Sequence, residues 1–98
     1  MEEIVIVITE TAYVDLEDIE NYIGQDSPAI ARRFIIRIFD KIDQLYEHPH
    51  SGKPVPEFND PTIKELLLNK YRIIYQLNEN TVNVLRVIHG ARLLDIEI

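Results

Sequence analysis

Residues 71–92, YRIIYQLNENTVNVLRVIHGAR, constrain this chain more than any other stretch. Two runs rich in β-branched and aromatic residues, 71–77 and 82–88, flank Asn78, Glu79, Asn80 and Thr81. Turn-prone residues between two such runs specify a β-hairpin. His89-Gly90-Ala91-Arg92 ends the second run. Whatever else the chain does, it builds its sheet around this antiparallel pair.

The segments before the hairpin supply the other layers. Residues 4–8, IVIVI, read as a strand buried on both sides, or an inner strand. Thr9 or Thr11 is placed to cap the helix that follows. Ala12, Leu16, Ile19 and Ile23 then recur at spacings of four, three and four, one stripe of an α-helix. Asp15 and Asp18 sit in the half of that helix where the dipole favours negative charge. Gly24 supplies a stop. Ser27-Pro28 restarts the helix, with Ser as N-cap and Pro at a first-turn position that tolerates its missing amide. This second helix runs to about residue 47. Ala31, Ile35, Ile38, Ile42 and Leu45 are its core stripe, with Phe34 beside it. Arg33, Arg37 and Lys41 form a basic row that would face the acidic first helix. Two amphipathic helices joined by a short loop make an antiparallel hairpin.

Prolines and a glycine in residues 48–56 (HPHSGKPVP) forbid further helix and impose an ordered loop. Residues 63–69 read as a strand by length and flanking turn residues. Residues 92–98 alternate apolar Leu94, Ile96 and Ile98 with Asp95 and Glu97, a last short strand. The order β-α-α-β-β-β predicts an α+β domain, with a two-helix antiparallel hairpin packed on one face of a small, mainly antiparallel sheet. The opposite face, left without a helix, invites a partner.

Ninety-eight residues suit one domain, 1–98. With no cysteine there is neither a disulfide framework nor a thiolate metal site. No basic leader precedes a long apolar run, and IVIVI is far below the roughly 20 residues needed to cross a bilayer. A cytoplasmic protein without a membrane anchor is the expectation. The formal charge of −7 argues against nucleic-acid binding by net charge. That charge is concentrated: residues 1–26 carry eight acids and no base. This acidic quarter reads most simply as a solvated helix face.

Five pieces in order resemble the RelE/ParE toxins of bacterial type II toxin–antitoxin pairs. They are Ala12-x-x-Asp15-Leu16-x-x-Ile19-x-x-Tyr22-Ile23, the loop His48-Pro49-x-Ser51-Gly52-Lys53-Pro54-Val55-Pro56-Glu57, and Lys64-Glu65-Leu66. Tyr71-Arg72-Ile73-Ile74-Tyr75 and His89-Gly90-Ala91-Arg92 complete the set. Lys53 stands where the family usually has arginine. The resemblance spans almost the whole chain and is closer to the ParE-like, plasmid-stabilisation branch. It implies the same two-helices-on-sheet fold and a small antitoxin as partner, and it allows higher-order toxin–antitoxin assembly. RelE-like members cut messenger RNA on the ribosome without a metal; ParE-like members poison DNA gyrase by binding.

The residues weigh these two activities. RelE-type sites use strand lysines before the YR motif, the YR arginine, an arginine after the last strand and a tyrosine near the C-terminus. Arg72 and Arg92 match the two arginines. The lysine positions hold Ile63 and Glu65, and the terminal tyrosine position is at or near Ile98. A glutamate for a lysine changes local charge by two units where phosphate must sit, which disfavours RNA cleavage. The expectation is therefore a gyrase inhibitor that is not an enzyme and uses no cofactor or metal. Leu93, Leu94, Ile96 and Ile98 contact the antitoxin on this reading. The alternatives are a ribosome-dependent ribonuclease using Arg72, His89 and Arg92, and a non-toxic binding module of the same fold. Each candidate also has a purely structural reading. His89 and Gly90 end a strand and turn the chain. Tyr71 and Tyr75 fill core or rim. Arg72 pairs with Glu65 across adjacent strands. His48 and His50 flank a proline with no third metal ligand nearby.

Overall fold

The computed structural model describes residues 3–91. Two helices lie against one face of a five-stranded sheet of order β1-β5-β4-β3-β2. The elements are β1 (Val5–Ile8), α1 (Glu10–Gly24), α2 (Pro28–Asp43), β2 (Lys53–Pro54), β3 (Ile63–Leu68), β4 (Tyr71–Asn78) and β5 (Thr81–His89). A 3-10 turn, Gln44–Tyr46, continues α2. This is the expected α+β arrangement, with a main ladder of antiparallel strands and only β1 parallel, beside β5. The last strand expected at residues 92–98 lies outside the described residues.

Local chemistry sets the boundaries. Thr9 is the N-cap of α1, its hydroxyl accepting from the Ala12 amide, so the open choice between Thr9 and Thr11 resolves to Thr9. Ser27 caps α2 in the same way through the Ile30 amide, with Pro28 opening the helix. α1 does end at Gly24, but through a right-handed Gln25; no described glycine adopts a positive φ. Both tight turns place a side-chain-bearing residue there instead, Asn69 (φ 53°) between β3 and β4 and Glu79 (φ 55°) between β4 and β5. Asn tolerates the left-handed region, whereas Glu is strained in it.

The helix stripes bury largely as their spacing dictates. Ala12, Leu16 and Ile19 of α1 meet Phe34, Ile38, Ile42 and Leu45, over a sheet face of Leu66, Ile73, Tyr75, Leu77, Val82, Val84 and Val87. Ile35 is only half-buried, and Phe34 takes the core position expected of it. Ala31, Phe34, Ile38, Ile42 and Leu45 are the buried stripe, at helical spacings of three, four, four and three.

Three expectations need correcting. β1 is an edge strand, with Val5 and Val7 half exposed. Its apolar content reflects two different environments: the alternate isoleucines pack on the core and the valines face outward. The acidic first helix does not pair with the basic row of α2; the ion pairs among the described residues involve Arg72 and Arg86. Exposed pairs gain too little to hold long side chains in register. Finally, the sheet face away from the helices is not bare. Val55 and Phe58, from the loop after β2, pack there on Ile63, Ile74 and Ile88.

The segment just before β2 is held by Tyr75, which is fully buried. Its hydroxyl donates to the Pro49 carbonyl (2.9 Å) and accepts from the Gly52 amide (3.0 Å). A Cβ on Gly52 would lie 2.5 Å from that hydroxyl, so only glycine admits the approach.

Ile42→Ala should cost about 2–5 kcal/mol in chemical denaturation, as for a fully buried aliphatic side chain. Glu79→Gly should raise stability by up to about 1 kcal/mol, because it relieves a left-handed backbone at a two-residue turn; an unchanged denaturation midpoint would contradict this.

Candidate functional site

The hairpin ladder decides which candidate residues can meet. Tyr71 pairs with His89, and Arg72 pairs with Ile88. Neighbouring residues of a strand point to opposite faces. Tyr71 and His89 therefore share the helix-covered side, their rings edge-to-face at 5.5 Å. Arg72 projects from the other side. Two of the three weak catalytic candidates, Arg72 and His89, thus lie on opposite faces. Arg92, like the proposed contact residues Leu93, Leu94, Ile96 and Ile98, lies outside the described residues.

Arg72 is engaged on its own face. It is 5% exposed and sits between Glu65 of β3 and Glu57 of the loop after β2. Its Nη1 donates to Glu57 Oε2 at 2.9 Å and its Nη2 to Glu57 Oε1 at 3.1 Å. Nε donates to both Glu65 oxygens at 3.2 Å, and Nη2 reaches Glu65 Oε2 as well. Burial pulls the guanidinium pKa down, and the two carboxylates more than offset this, so it stays charged. The Glu65 pairing read from the sequence is present; the Glu57 arm is additional. Two carboxylates against one guanidinium leave this cluster with a formal charge of −1.

His89 closes β5. Its Nδ1 accepts from the Ala91 amide at 3.2 Å, which places the ring proton of a neutral imidazole on Nε2. The Gly90 amide donates to the Lys70 carbonyl at 2.7 Å, and a Cβ there would lie 3.3 Å from the same oxygen. The structural reading of His89-Gly90, ending a strand and turning the chain, describes this geometry. Burial raises the Tyr71 phenol above its ordinary value, with nearby Tyr22 adding to the shift. His48 is exposed, and no cluster of three His, Asp or Glu side chains among the described residues has metal-holding geometry.

A second ion pair was not anticipated. The Asp15 carboxylate accepts from Arg86 Nε at 2.7 Å, from Arg86 Nη2 at 3.0 Å and from the Val87 amide at 3.0 Å. β1 stops opposite Val84, so β5 continues without a strand on that edge. A bulge follows, with Ile74 opposite Arg86 and Tyr75 opposite Val84. Thr9 and Asp15 satisfy the freed edge: the Thr9 hydroxyl donates to the Val84 carbonyl at 2.8 Å, and Asp15 takes the Val87 amide. A signal did exist in the sequence. Asp15 stands three residues after Ala12 and four before Ile19, on the buried stripe, where an acid needs a partner.

The comparisons with known proteins follow this geometry. Residues 6–94 match the model of the ParE toxin of the type II toxin–antitoxin system parDE. The chain is 36% identical over 89 residues to Toxin RelE2 of Caulobacter vibrioides, covering 90% of this chain and 97% of that protein. It is 36% identical over 77 residues to the putative toxin Y4kP of Sinorhizobium fredii, covering 76% of each. Among solved structures, a chain of the chromosomal ParDE toxin–antitoxin system from P. aeruginosa superposes with a TM-score of 0.73. It is 19% identical, covering 89% of this chain and 96% of that one. A chain of the toxin–antitoxin complex RelBE2 from Mycobacterium tuberculosis gives 0.60 at 24% identity, covering 90% and 99%. The chain belongs to the ParE/RelE family of type II toxin–antitoxin toxins. No helix among its described residues is long and apolar enough to cross a membrane.

Arg72→Ala strands two carboxylates on one sheet face. It should destabilise the fold by about 3–5 kcal/mol, the cost typical of breaking a buried pair from one side. Denaturant midpoints for Arg72→Ala and for the double variant Arg72→Met/Glu65→Met test this. The double variant should recover part of the loss, because it removes one of the orphaned charges.

Proposed function

We propose that this toxin acts by binding and not by cutting, that its target is DNA gyrase, and that a cognate antitoxin neutralises it in the cytoplasm. The observation that carries this reading is the placement of Arg72. Cleavage through the RNA 2′-hydroxyl needs a base, an acid and cations converging on one phosphate. Here Arg72 is neutralised by Glu57 and Glu65, and His89 is on the other side of the sheet. The strand that would carry lysines for RNA presents Ile63 and Glu65 on the Arg72 face. The Arg72–Glu57–Glu65 cluster, formally −1, repels the phosphate it would have to hold.

Family membership supports the antitoxin as partner, and the two solved structures described above come from toxin–antitoxin systems. Leu93, Leu94, Ile96 and Ile98 are the proposed antitoxin contacts in the tail, and higher-order toxin–antitoxin assembly is compatible with this reading. The name of the RelE2 relative favours the second reading, ribosome-dependent cleavage of messenger RNA.

Purified toxin, incubated with gyrase and plasmid, should accumulate protein-linked DNA breaks that denaturant and protease reveal as linear DNA. Added to translating ribosomes, it should leave the message intact. Codon-aligned cuts that require ribosomes would replace the gyrase reading with the ribonuclease one. Neither effect, with antitoxin binding retained, would leave a non-toxic binding module.

A further inference from the structure

The charge of −7 argues against nucleic-acid binding by the molecule as a whole, yet one groove on it has the opposite sign. It opens between the C-terminal end of α1, the first half of α2 and the β3–β4 turn, with a volume of about 840 Å³. Arg33, Arg37 and Lys70 line it, and among the described residues no aspartate or glutamate does. None of these three cations joins the ion pairs among the described residues. Screening confines the influence of exposed charges to about 8 Å at physiological salt, so the acids elsewhere on the chain do not set the sign here.

What the cations frame is aromatic. Tyr71 has Phe34 at 5.4 Å and His89 at 5.5 Å between ring centroids. The Arg37 guanidinium lies over the Phe34 ring at 5.8 Å, within cation–π range. Tyr22 is 70% exposed and near enough to Tyr71 for their phenols to interact. Rings and guanidinium thus form one connected platform, open to water at Tyr22. Neutral His89, its Nδ1 accepting from Ala91, keeps an Nε2 proton to donate. A carboxylate-rich peptide would satisfy the cations and leave the ring faces unused. Nucleotides use both, phosphates on the cations and bases on the rings. In a duplex the base faces are hidden in the stack, so such rings are reached by unpaired bases. Beyond the wall formed by Tyr22, Tyr71 and His89 lies a second hollow, of about 410 Å³, lined by Asp15 and Asp18. A phosphate carried past that wall meets negative charge, which keeps the site short.

We infer that this groove binds about three nucleotides of single-stranded DNA, with phosphates on Arg33, Arg37 and Lys70 and a base stacked on Tyr22. The choice of DNA over RNA rests on the gyrase reading, because a gyrase halted after cleavage presents broken DNA strands; the chemistry of cations and rings does not rest on it. The groove is on the helix-covered side, away from Arg72, so it holds a strand without cutting it.

The test uses the full chain and fluorescent probes of about ten nucleotides: oligothymidylate, oligouridylate, a DNA duplex and an abasic DNA strand. A glutamate-rich peptide is the fifth probe. Anisotropy should show saturable binding of oligothymidylate at about 1–100 μM. Its log affinity should fall against log salt with a slope of about −2, roughly −0.7 for each of three contacts. The abasic strand and the duplex should bind about fivefold or more weakly. Tyr22→Leu keeps apolar bulk at an exposed position; it should weaken binding about fivefold or more and leave the salt slope unchanged. Lys70→Gln should weaken binding and reduce the slope to about −1.4. Both should leave the circular dichroism melt unchanged. No saturable binding, an abasic strand, duplex or peptide bound as tightly as oligothymidylate, or full affinity in Tyr22→Leu and Lys70→Gln would overturn the inference. Tighter binding of oligouridylate would overturn the assignment to DNA. Gyrase trapping is read separately: strand binding without trapping defeats the gyrase reading alone, and trapping without strand binding defeats this inference alone.

Discussion

A guanidinium carried into the middle of a sheet must be met there by carboxylates, and much of this molecule is arranged to meet the one on Arg72. Arg72 and Glu65 are buried there, so an unpaired charge would cost several kcal/mol. Glu65 arrives from the neighbouring strand with no special device, because the β3–β4 register places it diagonally close. Glu57 arrives only because the loop after β2 is folded back. Val55 and Phe58, seated on the sheet, hold that loop, and Tyr75, whose hydroxyl bridges Pro49 and Gly52, anchors the chain just before β2. Tyr75 and Arg72 lie on opposite faces of one strand. β4 therefore ties the helix-side core to the loop that closes the other side.

The second constraint is the outer edge of β5. A strand edge left open is both a hydrogen-bonding debt and an aggregation hazard. β1 covers only its first half. Past the bulge, α1 supplies Thr9 and Asp15 to the exposed backbone, and Arg86 neutralises the acid. Burial and this pairing move Arg86 in opposite directions; the Asp15 contact dominates and raises its pKa. A pKa raised in the folded state gives stability that is present below the ordinary arginine value and lost only above the folded one, so the clip is intact throughout the neutral range. The entry of α1 is thereby fixed to the sheet by polar contacts as well as by Leu16 and Ile19.

These two devices bear on function through what they leave free. Arg72 and Arg86, the arginines that the hairpin carries on β4 and β5, are committed to structure. Most of the cations outside the ion pairs among the described residues lie on α2 and at the β3–β4 turn, with Lys53 and Lys64 on β2 and β3. On the proposed reading, a toxin that acts by binding needs only a shaped and charged surface, whereas cleavage would need groups converging within hydrogen-bonding reach of one phosphate.

The sequence by itself determined the family and most of the elements, though the short β2, Lys53–Pro54, falls in what reads as loop. Hydrophobic spacing in 12–23 and 31–45, the Ser-Pro restart and the turn residues of the hairpin act over a few residues, so local physics shows in them directly. The Arg72–Glu65 pair was legible for the same reason, as a contact between adjacent strands. Tertiary structure alone decided the rest. It placed β1 at the edge beside β5, because parallel partners are separated by the whole helical hairpin and no local rule names them. It turned Asp15 onto Arg86, 71 residues away, and Glu57 onto Arg72 through a loop that Val55 and Phe58 seat on the sheet. It also separated Arg72 from His89, which a list of motifs sets side by side. Strand alternation assigns opposite faces to such residues only once the pairing register is known.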